Sequence, residues 1–277
     1  MLISGRKEFR EPFMRLTPKA IRNKKNKQKI VALTAYDFPF AKLLDESGID
    51  IILVGDSVGM VSLGHETTLS VTMADMLHHV KSVRRAVKHA LLVADMPFAS
   101  YDTPEKALLN ANLLIKEAGA DAVKLEGGTQ VMEEVKALVE YDIPVMGHLG
   151  MTPQSIKELG GYKVQGKTKE AAQVMVQEAL ALEQAGIFSL VLECVPISLA
   201  ERITSQLAIP TIGIGAGLDT DGQVLVLHDL LGFESSVRPR FVRRYAELDQ
   251  TIHKAITQYR SDVLAKKFPT VQESFKG

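Results

Sequence analysis

The chain has 277 residues, 46% of them hydrophobic, and its 33 basic side chains balance 33 acidic ones, which removes the usual electrostatic case for a nucleic-acid partner. A single cysteine, Cys194, excludes an internal disulfide framework. No apolar run approaches the ~20 residues that span a bilayer, and the first residues lack the apolar core of a signal peptide, so we expect a cytoplasmic protein without a membrane partner.

Residues 1–28 are predicted to form a basic, partly helical N-terminal extension. Its lysines and arginines gather between positions 19 and 29 without interleaved aromatic residues. An arm that binds nucleic acid is one interpretation of such a cluster. Since the net charge of the chain is zero, we favour the other interpretation, in which these side chains are solvated.

After a first strand at 29–35, two apolar runs lead to aspartates. Residues 51–54 precede Asp56, and residues 91–94 precede Asp95. Short apolar runs of this kind are typical of buried parallel strands, whose carboxyl ends carry the chemistry of a barrel. Two aspartates at one rim would form a site for a divalent cation, whereas a single aspartate in this position more often caps the following helix.

The repetition of this pattern along the chain favours a functional site at the strand ends over aspartates that merely cap helices. Three segments end a helix on glycine and deliver a carboxylate seven or eight residues later. The pairs are Gly48 with Asp56, Gly119 with Glu126, and Gly186 with Glu193. Glycine suits the left-handed position that ends a helix, so each glycine marks a return to the sheet.

The fourth strand, predicted at 120–126, alternates in character. If Val123 and Leu125 face the helices, Lys124 and Glu126 point into the mouth of the barrel. A buried lysine needs anionic groups close to it, which other acids at the rim would provide. The alternative is a purely structural ion pair between Lys124 and Glu126.

The fifth strand, at 143–148, ends in His148, which is either a core histidine or a residue that faces substrate. The glycine-rich segment 160–167 is interpreted as a flap or rim loop of an active site. Helices are predicted over 72–89, over 104–118 with Thr103 as the N-cap, and over 169–185. Three more strands follow at 187–194, 210–214 and 223–227.

Eight strands, each with a helical segment after it, predict a single α/β domain, a (β/α)8 TIM barrel over residues 29–237. From about residue 238 to residue 277 we predict an extra C-terminal helix and a tail. Its apolar stripe must be buried against the barrel or against another subunit. The stripe consists of Phe241, Tyr245, Leu248, Ile252, Ile256 and Tyr259.

Several blocks in this order resemble the ketopantoate hydroxymethyltransferase family. They are VGDSVGM at 54–60, ADMPF at 94–98, VKLEGG at 123–128, GHLGMTPQ at 147–154, GGYKVQG at 160–166 and LECVP at 192–196. With the glycines at 213–217 and the segment 221–223, they extend over about residues 30–245. The resemblance implies a barrel enzyme of pantothenate biosynthesis and a homo-oligomer, possibly a decamer.

The reaction implied by the resemblance transfers a hydroxymethyl group from 5,10-methylenetetrahydrofolate to 3-methyl-2-oxobutanoate, giving 2-dehydropantoate. The family's pattern implies that Asp56 and Asp95 hold Mg²⁺, with Glu126 as a further acidic contact. The residues implied to touch the oxo acid are Asp56, Ser57, Asp95 and Lys124, and His148 is a candidate for the same role. Glu193 is implied as the proton acceptor.

Elementary chemistry supports these roles. A 2-oxo acid chelates Mg²⁺ through its keto and carboxylate oxygens, and the metal stabilises the enolate formed when the C3 proton leaves. Lys124 would neutralise the substrate carboxylate, while partial desolvation between Leu192 and Cys194 would make Glu193 a better base. The enolate carbon then attacks the methylene carbon of the folate, whose pteridine is expected over the rim.

Two rival functions stay open at this point. One is another Mg²⁺ barrel that acts on oxo acids, such as a carbon–carbon lyase or a phosphoenolpyruvate mutase relative, which should show a loop with a nucleophilic cysteine. The other is a barrel that only binds or supports a partner, which gives no reason for four acids and a lysine at strand ends.

Overall fold

The computed structural model describes residues 15–155, 161, 163–233 and 239–276. Its eight parallel strands form a closed barrel in chain order, with β8 paired to β1, so the predicted TIM barrel is confirmed. The strands are β1 Ile30–Thr34, β2 Ile51–Val54, β3 Leu91–Asp95, β4 Ala122–Glu126, β5 Val145–Gly150, β6 Ser189–Glu193, β7 Thr211–Ile214 and β8 Gly222–Leu225.

Helices alternate with most of these strands. They are α1 Pro18–Arg22, α2 Phe38–Glu46, α3 Val58–Val61, α4 Met73–Ala86, α5 Pro104–Asn112, α6 Met132–Glu140, α7 Lys169–Gln184, α8 Ile197–Gln206, α9 Leu227–Leu231 and α10 Leu248–Leu264. A turn of π-helix, Leu113–Glu117, extends α5, and short 3-10 turns lie at Thr68–Ser70, Thr129–Val131, Pro153–Ser155 and Val271–Glu273.

Local sequence explains where the helices begin. Thr103 accepts a hydrogen bond from the backbone N–H of Lys106 at 3.3 Å, and Pro104 takes the first helical position, so the predicted N-cap is confirmed. Thr72 forms a capping box with Asp75 at the start of α4. That helix ends at Ala86, three residues before the predicted end, because the chain turns to an extended conformation at Val87.

Glycines end the helices as predicted. Gly48, Gly119 and Gly186 have φ values of +79°, +82° and +100°, the left-handed region in which a side chain would be strained. Each turn feeds the strand that carries an acid to the rim. The repeated pattern in the sequence thus reports a repeated structural unit.

The connection from β7 to β8 corrects the prediction that a helix follows every strand. Residues 215–221, all of them described, contain no helix. Gly215 and Gly217 there have φ values of +62° and +84°, and glycine and aspartate are poor helix formers. The side chain of Gln223 donates to the carbonyl of Gly217 at 2.8 Å, which holds this connection against β8.

A lysine ahead of β1 stabilises the closed barrel through contacts with residues late in the chain. Lys25 is buried, and its Nζ lies 2.8 Å from Asp221 Oδ2 and 2.7 Å from the carbonyl of Thr204. Asp221 Oδ2 also accepts the backbone N–H of Thr211 at 2.9 Å. The prediction of a solvated basic segment is therefore wrong for Lys25, because its acidic partner lies 196 positions further along the chain.

By its internal contacts the chain divides after Leu225 into two compact units. In the second unit, the helix predicted from residue 238 begins only at Leu248, so Phe241 and Tyr245 precede it. The backbone N–H of Tyr245 donates to the carbonyl of Leu230 at 2.8 Å and so is not available to a helix. The predicted domain boundaries at residues 28 and 237 stay predictions.

Within the described part of the chain, no helix combines the length and the apolar character needed to cross a membrane.

Candidate active site

Strand register brings the charged residues together at the carboxyl end of the barrel. Asp95 on β3 lies beside Lys124 on β4, and Glu126 on β4 lies beside His148 on β5. Adjacent positions on parallel strands point to the same face, here the interior. All four side chains are buried, and Asp56 from the end of β2 is buried with them.

Lys124 is the positive centre of this cluster. Its Nζ lies 2.8 Å from Asp95 Oδ1 and 3.6 Å from Glu126 Oε1. Burial opposes the lysine charge, but Asp95, Glu126 and Asp56 outweigh it and hold the pKa of Lys124 above its ordinary value. The nearest acid is Asp95, so the interaction is wider than the isolated Lys124–Glu126 pair of the alternative interpretation.

The two aspartates do not act as the caps of the helices that follow them. The N-cap of α3 is Ser57 and that of α5 is Thr103. Instead Asp95 Oδ2 accepts the backbone N–H of Asp56 at 3.0 Å. Burial, followed by the charges of Glu126 and Asp95, raises the pKa of Asp56 well above its ordinary value. Lys124 alone therefore does not offset the cost of ionising Asp56.

His148 lies between two acids. Its Nδ1 is 3.3 Å from both Glu126 Oε1 and Lys124 Nζ, and its Nε2 lies 3.3 Å from Glu193 Oε2, an ion-pair distance without the alignment of a good hydrogen bond. Burial and Lys124 oppose its protonation, but the two carboxylates outweigh them and raise the pKa of His148 to about 9. Carboxylates, rather than a backbone carbonyl, thus surround this buried imidazole.

Glu193 is the most accessible member of the group, with 13% of its side chain exposed against 3% for His148. The backbone fixes its position: its carbonyl accepts the N–H of Met151 at 2.8 Å, and a Cβ on Gly150 would lie only 2.1 Å from that carbonyl oxygen. Cys194 follows with φ +49°, an unfavourable value for a side-chain-bearing residue. The turn presents the carboxylate at the mouth of the barrel.

Three polar residues at this rim were missed by the sequence analysis. Tyr36 Oη lies 2.8 Å from Ser57 Oγ, and Tyr101 Oη donates to Gln154 Oε1 at 2.6 Å. Tyr36 lies two residues beyond the end of β1, as Asp56 lies two beyond β2, so the same strand-end rule could have identified it. The sequence around Gln154 carries no comparable signal, because this residue lies in a separate turn and not directly after the end of β5.

These contacts leave room for a divalent cation held by few protein ligands. In the described ranges, no three His, Cys, Asp or Glu side chains converge closely enough to hold a metal ion. Magnesium needs fewer protein ligands, since it is commonly held by one or two carboxylates with water and substrate oxygens in the other positions. Burial raises the pKa of both Asp56 and Asp95, so the ionised form of each would be stabilised by a further cation, which fits such an ion.

Only part of the predicted rim loop is described, because residues 160 and 162 lie outside the described residues. Residues 163–167 form neither helix nor strand. The backbone N–H of Gln165 donates to the carbonyl of Cys194 at 2.9 Å. This bond ties the loop to the turn directly after Glu193.

A cavity of about 480 Å³ opens beside the 3-10 turn Thr68–Ser70, which packs against the turn that carries Gln154. Pro97 and Phe98, which follow Asp95 in the chain, supply part of its apolar wall, and Lys106 and Asn110 supply polar groups. Its volume lies within the range of small-molecule sites.

Comparisons with known proteins identify the family. A family model described as ketopantoate hydroxymethyltransferase matches residues 15–271. A protein named 3-methyl-2-oxobutanoate hydroxymethyltransferase from Dehalococcoides mccartyi (strain CBDB1) is 55% identical over 91% of each chain. One of the same name from Thermoanaerobacter sp. (strain X514) is 56% identical over 91% of this chain and 92% of its own.

Solved structures that resemble the chain have low sequence identity. A phosphoenolpyruvate phosphomutase from Streptomyces platensis subsp. rosaceus gives a TM-score of 0.63 at 13% identity, covering 95% of this chain and 92% of that one. A 2,3-dimethylmalate lyase gives 0.60 at 15% identity, covering 94% and 87%. At such identities the likeness shows the barrel fold alone.

The environment of Cys194 predicts a slow thiol. Burial and the charge of Glu193 raise the pKa of Cys194 from 9.0 to about 11. Because the thiolate is the nucleophile, alkylation by iodoacetamide at pH 8 should be roughly 100-fold slower in the native protein than in guanidinium. The native rate should rise toward pH 11. Mass spectrometry at this single cysteine measures both rates, and a native rate within a few-fold of the unfolded one at pH 8 contradicts the assignment.

Proposed function

Because the chain belongs to the ketopantoate hydroxymethyltransferase family, we propose that it transfers a hydroxymethyl group to 3-methyl-2-oxobutanoate in pantothenate biosynthesis. The observation that supports this most directly is the buried group of Asp56, Asp95, Lys124 and His148, with Glu193 at the mouth of the barrel. The single cysteine favours the cytoplasm as the place of this reaction.

The two rival functions account for the site less well. A barrel that only supports a partner gains nothing from burying these ions, since each costs several kcal/mol to desolvate. A lyase or mutase shares the fold, but its expected cysteine nucleophile has one candidate, Cys194, whose raised pKa disfavours the thiolate. Identity of 55% over 91% of the chain favours the transferase.

The one-carbon donor would be 5,10-methylenetetrahydrofolate. Its methylene carbon becomes bonded to C3 of the oxo acid, one water molecule supplies the hydroxyl oxygen, and tetrahydrofolate leaves. We place the folate at the same rim, where the cavity beside Pro97 and Phe98 offers apolar surface. Lys106 also lines this cavity, but its ammonium is paired with Asp102 at 3.0 Å.

A magnesium ion is the cofactor that the site would take, with Asp56 and Asp95 as its protein ligands. When bound, it would supply Lewis acidity to a 2-oxo acid chelated through its keto and carboxylate oxygens. Glu126 would act at longer range, because its Oε1 lies 3.3 Å from His148 Nδ1 and its Oε2 accepts the backbone N–H of Gln154 at 3.0 Å.

The chain's own groups would then bind the substrate and move the proton. Lys124 would offset the charge of the substrate carboxylate from a position already fixed by Asp95. Ser57, held by Tyr36 at 2.8 Å, would donate to the same oxo acid. Glu193 would accept the C3 proton, and His148, 3.3 Å away, would hold the carboxylate in place and stabilise its charge.

The assembly is a further part of the proposal. None of the 17 residues of α10, all of which are described, is buried. Ile252, Ile256 and Tyr259 are 41%, 61% and 58% exposed along one face of that helix. We propose that a second copy of the chain covers this stripe in a homo-oligomer such as a decamer, because an exposed apolar face of this length favours association.

The metal site is tested by Asp56→Ala and Asp95→Ala. Each variant loses a carboxylate ligand, so calorimetric binding of the oxo acid with Mg²⁺ should be abolished while the circular dichroism spectrum is retained. Asp219→Ala, an exposed aspartate on the β7–β8 connection, is the control and should bind as the wild type does. Undiminished binding in both site variants would remove these residues from the metal site.

Glu193→Gln separates proton abstraction from binding. The amide keeps the size of the side chain but cannot accept the C3 proton, and loss of a general base typically costs ~10² to 10⁴ in rate. Exchange of deuterium at C3 of the oxo acid, measured without folate, should fall by about that factor while the dissociation constant of the oxo acid changes much less.

The matched control is Glu201→Gln on the exposed face of α8, which should exchange at the wild-type rate. A well-folded Glu193→Gln protein that exchanges within a few-fold of wild type would assign the base to another group. If thermal stability and binding fell together instead, Glu193 would have a structural role.

The double variant Ile256→Glu with Tyr259→Glu tests the proposed interface. Two buried charges should dissociate the oligomer, and sedimentation velocity should show a smaller species. Gln258→Glu changes the charge on the same exposed helix away from the stripe and should sediment as wild type does. An unchanged sedimentation coefficient in the double variant would assign the stripe to a surface outside the assembly contact.

A further inference from the structure

Gln154 makes an unusual set of contacts for a neutral residue in a charged site. It is buried in the 3-10 turn Pro153–Ser155, and its Nε2 donates to Asp56 Oδ2 at 2.9 Å and to the carbonyl of Met96 at 3.0 Å. Its Oε1 accepts from Tyr101 at 2.6 Å, and its backbone N–H donates to Glu126 Oε2 at 3.0 Å.

These partners fix the orientation of the amide. Both acceptors, the Asp56 carboxylate and the Met96 carbonyl, face the nitrogen, which carries two N–H donors. The hydroxyl of Tyr101 faces the oxygen. Rotating the amide by 180° would place its oxygen against a carboxylate and a carbonyl, so the observed arrangement is the one that satisfies every group.

One residue therefore connects three strand ends. Asp56 follows β2, Met96 follows Asp95 at the end of β3, and Glu126 ends β4. The Met96 N–H in turn donates to the carbonyl of Lys124 at 3.0 Å, so the link extends to the backbone of the lysine. Movement of Gln154 would therefore displace the Asp56 carboxylate directly and Asp95 only through the neighbouring carbonyl of Met96.

Gln154 contacts Glu126 and Asp56 through different groups. Its backbone N–H engages one oxygen of Glu126, and Lys124 and His148 lie near the other. Its side chain contacts a single oxygen of Asp56. The bond to Glu126 comes from the backbone and does not depend on the side chain at position 154, whereas the bond to Asp56 requires the amide.

We propose that Gln154 is a positioning residue that orients Asp56 for the divalent cation and, through the carbonyl of Met96, fixes the strand end that carries Asp95. This inference rests on the proposed function, which supplies the cation. Groups that orient metal ligands typically contribute 10- to 100-fold to metal affinity, so the loss of both Nε2 donors should weaken cation binding by a factor in that range.

The test is Gln154→Met in the full-length protein, with Mn²⁺ as the probe. Methionine keeps the volume of the side chain and the backbone bond to Glu126 but removes the side-chain hydrogen bonds. Electron paramagnetic resonance of free Mn²⁺ gives the dissociation constant without turnover, and it should rise at least 10-fold. Calorimetry should also give a lower thermal midpoint, because the Asp56 carboxylate, the Met96 carbonyl and the Tyr101 hydroxyl each lose a buried partner. A purely structural role would lower the midpoint and leave the Mn²⁺ affinity unchanged.

Gln173→Met is the matched control, because Gln173 bonds Arg202 on the exposed side of the barrel, and its Mn²⁺ affinity should equal that of wild type. A folded Gln154→Met protein with an affinity within two-fold of wild type overturns the inference. If wild type itself binds no Mn²⁺, the proposed cation site and this inference fail together.

Tyr101→Phe decides the matter if Gln154→Met does not fold. The variant removes the hydroxyl that holds Gln154 Oε1 and leaves the amide in place. We expect a smaller increase in the Mn²⁺ dissociation constant, about three-fold. An unchanged constant in a folded Tyr101→Phe protein would overturn the positioning role.

Discussion

Burial of the Lys124 ammonium inside a closed parallel barrel is the constraint on which the site depends. Removing such an ion from water costs several kcal/mol, and only close opposite charges offset that cost. The strand register provides them: Asp95 stands beside Lys124 on the neighbouring strand, 2.8 Å away, and Glu126 lies two positions further along the same strand. A shift of one residue in either strand would turn these side chains to the other face of the sheet and leave the charges unpaired.

The shared lysine gives the surrounding acids different properties. Burial raises the pKa of Asp95 despite the nearby Lys124, whereas Lys124 and His148 overcome burial at Glu126 and lower its pKa. Groups of one chemical type thus acquire separate tasks from their surroundings, which is how paired carboxylates commonly divide acid–base work. Lys124 and His148 stabilise Glu126 in its charged form. The charged forms of the two aspartates are not fully stabilised and would gain from a further positive charge nearby.

Much of this arrangement could be predicted from the sequence, because strands and their ends leave local signals. The glycines before β2, β4 and β6 indicated the turns, and the abrupt change from apolar residues to Asp56 and Asp95 indicated the rim. Gln154 could not be predicted, since its partners come from three distant segments. The burial of Lys25 depends likewise on Asp221, and a helix predicted after β7 by analogy with its neighbours is replaced by a connection rich in glycine.

The ion pair between Lys25 and Asp221 also limits when the barrel can close during protein synthesis. A ribosome delivers the lysine 196 residues before its partner. At ~5–20 residues per second, roughly 10 to 40 seconds pass between synthesis of the lysine and synthesis of the aspartate. The last strand reaches the first only then, so the barrel cannot be sealed while its final quarter is still being made. Any sheet formed before that point would have two unpaired edges, which are prone to pair with other chains.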